Sequence, residues 1–379
     1  MKNSLLILIF MLLIGDMLAF PVRVSLFNSR QIRSVVISAW DGDLIVSSSE
    51  RFHYYIASGQ AIYAGLRDGK ILLSDANEQL GSFESITVSV ADSLSLVRLR
   101  PVLPQIDARD YEEMIIITAD VDKIHFVNQI DADLYIAGVV EAETGQRQTG
   151  EFYKAKGIIC RTYLYRNINT RHENEDFHLC DEVHCQAYKG RCKSRNMILA
   201  AVKATGNVIL TNPRDSEPIV AVYHSNCGGE TESSQNVWQS SQPYLVSVAD
   251  NYCTSSHNAK WQRTVLLDDW IAYLVKNGFI HNSPGGAVDY SFQQRRRMRD
   301  YKINNTTIPL NKIRADWQFK STYFSISLDG GNVIFSGRGY GHGVGLCQEG
   351  AMEMGRRGFK YDEIIKFYYK NINFTNAEP

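Results

Sequence analysis

The stretch from Leu134 to Tyr163, LYIAGVVEAETGQRQTGEFYKAKGIICRTY, constrains this chain more than any other. An unbroken apolar run, residues 134–140, ends at two carboxylates, Glu141 and Glu143. A short polar segment follows, and a helix is expected from about Gly150. In it Phe152, Ala155, Ile159 and Thr162 or Tyr163 recur at spacings of three and four, the period of a buried helical face. Glu143 is therefore expected where a strand or turn meets a helix, with Glu141 beside it on one face of the incoming strand. A carboxylate held between apolar segments loses water. That favours its neutral form and suits it to donating a proton near neutral pH.

The rest of the chain divides around this stretch. Lys2 and the apolar run 5–14 read as a secretory leader, too short for an ordinary membrane span. Residues 1–19 are expected to be a signal peptide, with an uncleaved anchor as the alternative. Residues 20–120 alternate apolar and polar in short runs broken by turns such as Asp41-Gly42, and read as a β-rich region without obvious chemistry. Residues 121–379 mix helical and strand patterns, so the expected class is α+β. The 40 basic and 41 acidic residues give a net charge of −1 and no basis for a nucleic-acid partner. There is no Gly-x-Ser-x-Gly elbow, His-Glu-x-x-His motif or EF-hand loop, which argues against a serine hydrolase, a zincin protease and a calcium module.

All seven cysteines follow the leader-like stretch. An odd number leaves at least one thiol free or on a metal. Cys180 and Cys185 lie in HLCDEVHCQAYKGRC, with His178, His184 and Cys192 in the same segment and His172 close by. Thiolates and imidazoles so spaced can chelate Zn²⁺, with Cys180 and Cys185 as two ligands and His172 or His178 as a third. In an exported protein the same thiols can instead form a disulfide. Cys227 is open to pairing with Cys253 or with a thiol of the Cys180 loop. Four arginines in 293–299 read as a solvated face or a contact for an anionic polymer. Near the far end, GRGYGHGVGLCQEGA places Tyr340, His342 and Gln348 on a glycine-rich backbone that opens into a helix. Its spacing is not that of a dinucleotide or Walker loop.

Three ordered stretches resemble the SpoIID/LytB family: the 135–163 segment with Glu143 and Cys160-Arg161-Thr162-Tyr163, YHSNCGGETES at 223–233, and the glycine-rich segment 337–351. The resemblance spans most of the chain. It implies an exported lytic transglycosylase that cleaves peptidoglycan strands stripped of stem peptides, working in a carbohydrate groove. Glu143 would act as acid and then base, leaving 1,6-anhydro-muramic ends. Arg161, His224, Tyr340, His342 and Gln348 would line the groove. The family's other role is a non-catalytic glycan-binding module that stimulates an N-acetylmuramoyl-L-alanine amidase. Some members carry a Cys…His-Cys-Gln stretch associated with zinc. This chain departs from the family pattern at Lys156, where glutamine is usual, and at Cys347 and Glu349 in the glycine-rich segment.

Overall fold

The computed structural model describes residues 21–238, 240–280, 289–303 and 305–377. The leader-like residues 1–19 lie outside them. Among the described residues, no helix is long and apolar enough to cross a membrane.

Two antiparallel-rich sheets form the N-terminal part. One orders its strands Leu179–Cys180, Pro21–Leu26, Ile124–Asp131, Met114–Ala119, Ser85–Val90, Leu44–Ser47 and His53–Ile56. The other runs Arg109–Tyr111, Leu96–Leu103, Ser34–Trp40, Ala61–Arg67, Lys70–Ser74 and Gln79–Phe83. The alternation legible in the sequence becomes inward packing. Val22, Val24, Ile115, Ile117 and Ile130 from the first sheet and Val35, Ile37, Ile71 and Leu99 from the second are buried in one core. That core continues without a break into two helices, α1 (Ala132–Thr144) and α2 (Gly150–Asn167).

Helix α1 corrects the expected strand-to-helix junction. The run 134–140 is itself helical. Asp131 caps it by accepting from the amides of Asp133 and Leu134. Residues Tyr135 to Val140 are all buried, because α1 is enclosed on every side. An apolar run without polar gaps fits a buried strand and an enclosed helix equally well, and periodicity cannot separate them. Gly138 allows the enclosure: a Cβ there would lie 2.5 Å from the Gly190 carbonyl oxygen and 2.7 Å from the Tyr188 ring. Helix α2 begins where expected, capped by Thr149, but runs on to Asn167.

A second, separate core is built from Trp270, Tyr301, Phe319, Phe324 and Phe335. Three antiparallel strands carry it, in the order Lys260–Leu266, Asn332–Arg338 and Phe324–Asp329, with the helices Leu267–Lys276 and Leu310–Trp317 packed on them. The chain leaves the main body after Cys253 to build this unit. It returns through the glycine-rich segment to the helices Gln348–Arg356 and Tyr361–Tyr368, which pack on α2. Residues 218–222 form no named strand; Pro218 bridges Thr211, and Tyr223–His224 pairs in parallel with Leu346–Cys347.

Candidate functional site

A cavity of about 820 Å³ opens where α1, α2, the Tyr223–His224 strand and the glycine-rich segment meet. Glu143 lines it from the last turn of α1. Of the expected groove residues, His224, Tyr340, His342 and Gln348 join it there. Arg161 does not. It is buried beneath the helices, paired with Asp133 at 2.8 Å and donating to Thr205 Oγ1 and to the carbonyls of Val202 and Val208. Helix α2 turns Arg161 away from the cavity, and it works as an internal tie.

The two carboxylates of α1 also separate. Two residues along a helix amount to roughly 200° of rotation, so Glu141 and Glu143 face opposite ways, where a strand would have set them side by side. Glu141 accepts from the amides of Lys193 and Ser194, at 2.8 and 2.9 Å, and from Gln146. Glu143 accepts from one amide, that of Ala187 at 3.2 Å. Among the described residues lining the cavity, Glu143 is the only carboxylate.

Three arginines, Arg166, Arg171 and Arg314, share that lining and form no ion pair among the described residues. Trp238, Tyr163, Tyr223 and Tyr340 supply aromatic faces. Sequence patterning pointed to neither the arginines nor Trp238. They come from three separate stretches, 166–171, Trp238 and Arg314, and meet only in the folded chain.

The histidines are fixed as neutral rings. His342 accepts from the Val344 amide on Nδ1 and directs Nε2 at the Tyr223 carbonyl at 3.0 Å, so Nε2 carries the proton. Burial pushes its pKa down to about 4. Burial, with His342 and Arg297 nearby, holds His224 well below the ordinary range too. His224 donates from Nδ1 to the Val344 carbonyl, leaving Nε2 buried without a hydrogen-bond partner among the described residues. Gln348 Oε1 and Lys156 Nζ are likewise buried and unpartnered. Lys156 lies over the Tyr223 ring, 2.7 Å from its centroid, and burial pushes its pKa down to about 8. Gly341 lets the glycine-rich backbone close on this wall. Its φ is +114°, and a Cβ would lie 2.8 Å from that of His224.

At the cavity rim, His172, Cys180, His184 and Cys185 place their ligand atoms within 4.8 Å of one another. His172 Nε2 is 3.4 Å from Cys185 Sγ, and His184 Nδ1 is 3.7 and 3.6 Å from the sulfurs of Cys180 and Cys185. Nitrogen and sulfur ligands of tetrahedral zinc stand about 3.6 Å apart, so the set fits the ion. His172 also holds the Glu175 carboxylate on Nδ1 at 2.8 Å, which aims Nε2 at the sulfur. His178 is outside the cluster, contrary to expectation, because its Nδ1 accepts from the Arg23 amide. The turn from Glu182 to Cys185 brings His184 back to Cys180 in its place. The sandwich positions this rim directly: Cys180 pairs beside Ser25, and Asp181 accepts from the Phe27 amide and pairs with Arg109.

The arginine run divides. Arg297 is buried against Glu232 and donates to the carbonyls of Glu230 and Cys227, whereas Arg296 is exposed and pairs with Glu230. Cys227 is in no disulfide; its sulfur lies 3.3 Å from that of Cys253.

An enclosed helix thus ends in one open carboxylate that faces a glycine-rich wall with fixed histidines. The family model described as stage II sporulation protein, SpoIID, matches residues 120–212, the span that holds α1, α2 and the rim cluster. An uncharacterized protein of Brachyspira hyodysenteriae is 28% identical over 260 residues, covering 67% of this chain and 69% of that one. Stage II sporulation protein D of Bacillus subtilis is 28% identical over 267 residues, 66% of this chain and 76% of that one. The amidase enhancer of Bacillus subtilis is 26% identical over 293 residues, but these make up only 40% of its length. The chain thus matches the SpoIID family model over residues 120–212 and is similar to these relatives over about two thirds of its length.

Proposed function

We propose that this protein is an exported lytic transglycosylase that cleaves the glycan strands of peptidoglycan, with Glu143 as its acid and base. The reading rests on one observation: Glu143 is the only carboxylate on the cavity lining among the described residues. Hydrolytic glycosidases set two carboxyl groups across the scissile bond. A single group suffices when the attacking hydroxyl belongs to the substrate. Protonated Glu143 gives its proton to the oxygen linking N-acetylmuramic acid to N-acetylglucosamine. The resulting carboxylate then takes the proton of the muramic 6-hydroxyl as that oxygen attacks C1, closing the 1,6-anhydro ring.

The surroundings suit that polymer. Aromatic faces take sugar rings. Arg166, Arg171 and Arg314 suit the lactyl carboxylates of strands stripped of peptide. The unpartnered His224 Nε2 and Gln348 Oε1 are acceptors for sugar hydroxyls or acetamido N–H groups. Zinc held by His172, Cys180, His184 and Cys185 supplies a structural tie that fixes the rim carrying His184 and Cys185.

The test is the mass of products from denuded glycan strands. Anhydro-muramic ends are expected, and Glu143→Gln should lower their rate of formation by at least about 10²- to 10⁴-fold while still binding strands. Strands left intact by the unvaried protein would sink the reading. They would favour the second one, a glycan-binding stimulator of an amidase, which the similarity to the amidase enhancer supports. In that case Glu143→Gln leaves the stimulation unchanged.

A further inference from the structure

Directly behind the cavity wall lies a second cluster of ligand-type side chains that the proposed reaction does not use. Cys227, Asp250, Cys253 and Cys347 are each fully buried, and their ligand atoms fall within 4.8 Å of one another. Cys227 Sγ is 3.3 Å from Cys253 Sγ and 3.2 Å from Asp250 Oδ2. Three independent observations point from this geometry to a cation.

The first is charge. Asp250 accepts from the Tyr252 amide at 2.9 Å and from the Tyr368 hydroxyl at 3.0 Å, but forms no ion pair among the described residues. A wholly buried carboxylate without a cation is unfavourable, and a divalent ion supplies what is missing. The second is the direction of the backbone. The amides of Cys227 and Gly350 point at Cys347 Sγ, at 3.3 and 3.4 Å. N–H groups aimed at sulfur stabilise a thiolate, the metal-binding form, and give little to a neutral thiol. The third is close packing arranged around the acid. A Cβ on Gly350 would lie 2.4 Å from Asp250 Oδ2, so only glycine lets the helix that follows Cys347 approach.

We propose that Cys227, Asp250, Cys253 and Cys347 bind a structural zinc ion, separate from the rim cluster. Three sulfurs and one carboxylate oxygen complete a closed tetrahedral shell of the structural kind. Cys227 lies three residues beyond His224, and Cys347 immediately precedes Gln348. The ion therefore clamps together the two segments that form the cavity's histidine wall, adding to their short parallel pairing and to the histidine–carbonyl bonds between them. A Cys227–Cys253 disulfide would leave Asp250 uncompensated and Cys347 unpaired.

The experiment measures zinc by mass spectrometry on the full chain, purified without chelator, beside two variants. About two ions per chain are expected in the unvaried protein. Cys180→Ser/Cys185→Ser should keep about one, bound through three sulfurs by X-ray absorption. Cys347→Ser should lose about one. A folded Cys180→Ser/Cys185→Ser protein without zinc overturns the site. So does an intact mass short by two hydrogens with Cys227 and Cys253 in one cross-linked peptide. If the variants do not fold, X-ray absorption on the unvaried protein decides. One ion with three sulfurs, or two ions averaging about two and a half, supports the site. One ion with two sulfurs means that only the rim cluster binds, and none means that neither does.

Discussion

The Glu143 cavity and the corner around Glu230 are built from similar parts, a carboxylate, arginines and glycine-bearing backbone, yet one is left open and the other is filled. Glu230 accepts from Ser247, Arg296 and the Arg297 amide. Burial alone would raise its pKa, but the Arg297 amide and the Arg296 guanidinium outweigh burial and hold it below the ordinary carboxylate range. Buried Arg297 closes the corner by facing Glu232 and filling two carbonyls. At the cavity, Glu143 has one donor, the arginines face no acid, and three polar atoms have no partner. A saturated carboxylate is a structural acceptor. An open one beside unfilled donors and acceptors is where a ligand belongs.

Three substitutions test this contrast. Arg297→Met should be the most damaging, because it strands the buried Glu232 carboxylate and takes the side-chain donor from the Glu230 and Cys227 carbonyls. A loss of about 3–5 kcal/mol in urea unfolding is expected. A loss under 1 kcal/mol would show the corner to be as loosely satisfied as the cavity.

Lys156→Met should act in the opposite direction. The folded chain holds this lysine at a pKa of about 8 against an ordinary 10.5, so the unfolded chain binds its proton more tightly. The penalty is complete below about pH 8 and fades as pH rises towards 10.5. Removing the amine should therefore stabilise the protein by roughly 3 kcal/mol at pH 7, with the gain shrinking at pH 10. Equal stability of the two proteins at both values would mean that the ammonium finds a partner in solution. Glu141→Gln should have the smallest effect, about 1–2 kcal/mol, from weakened acceptance of the Lys193 and Ser194 amides. Strand cleavage should stay within about threefold, since Glu141 faces away from the cavity. A larger fall in rate would place Glu141 in the chemistry and erase the distinction between the two carboxylates of α1.

Much of this arrangement was legible in the sequence, and the misreadings have physical causes. The strand alternation of the N-terminal region, the start of α2 and the gathering of Glu143, His224, Tyr340, His342 and Gln348 on one cavity lining all carried over to the structure. Helix α1 was hidden because enclosure removes the polar stripe that reveals helical period. Arg161 was misplaced because a motif says nothing about which face of its helix looks inward, and a long side chain can serve as an internal tie. His172 or His178 was expected as the third ligand and His184 was not, because spacing along the chain does not reveal the reverse turn that decides distance in space. The second cysteine cluster draws on residues up to 120 apart. No local pattern announces such a meeting; the hints were an odd thiol count and the openness of Cys227 to pairing with Cys253.

The short parallel pairing of Tyr223–His224 with Leu346–Cys347 also fixes when the cavity can exist. The His342 ring reaches the Tyr223 carbonyl across 119 residues, and the segment between must first fold its own aromatic core. Contacts so distant in sequence form late, after the local helices and hairpins. During synthesis the chain therefore carries Glu143 long before it carries a wall for it to face. The wall that Glu143 faces is complete only when the glycine-rich segment and the helices after it are made.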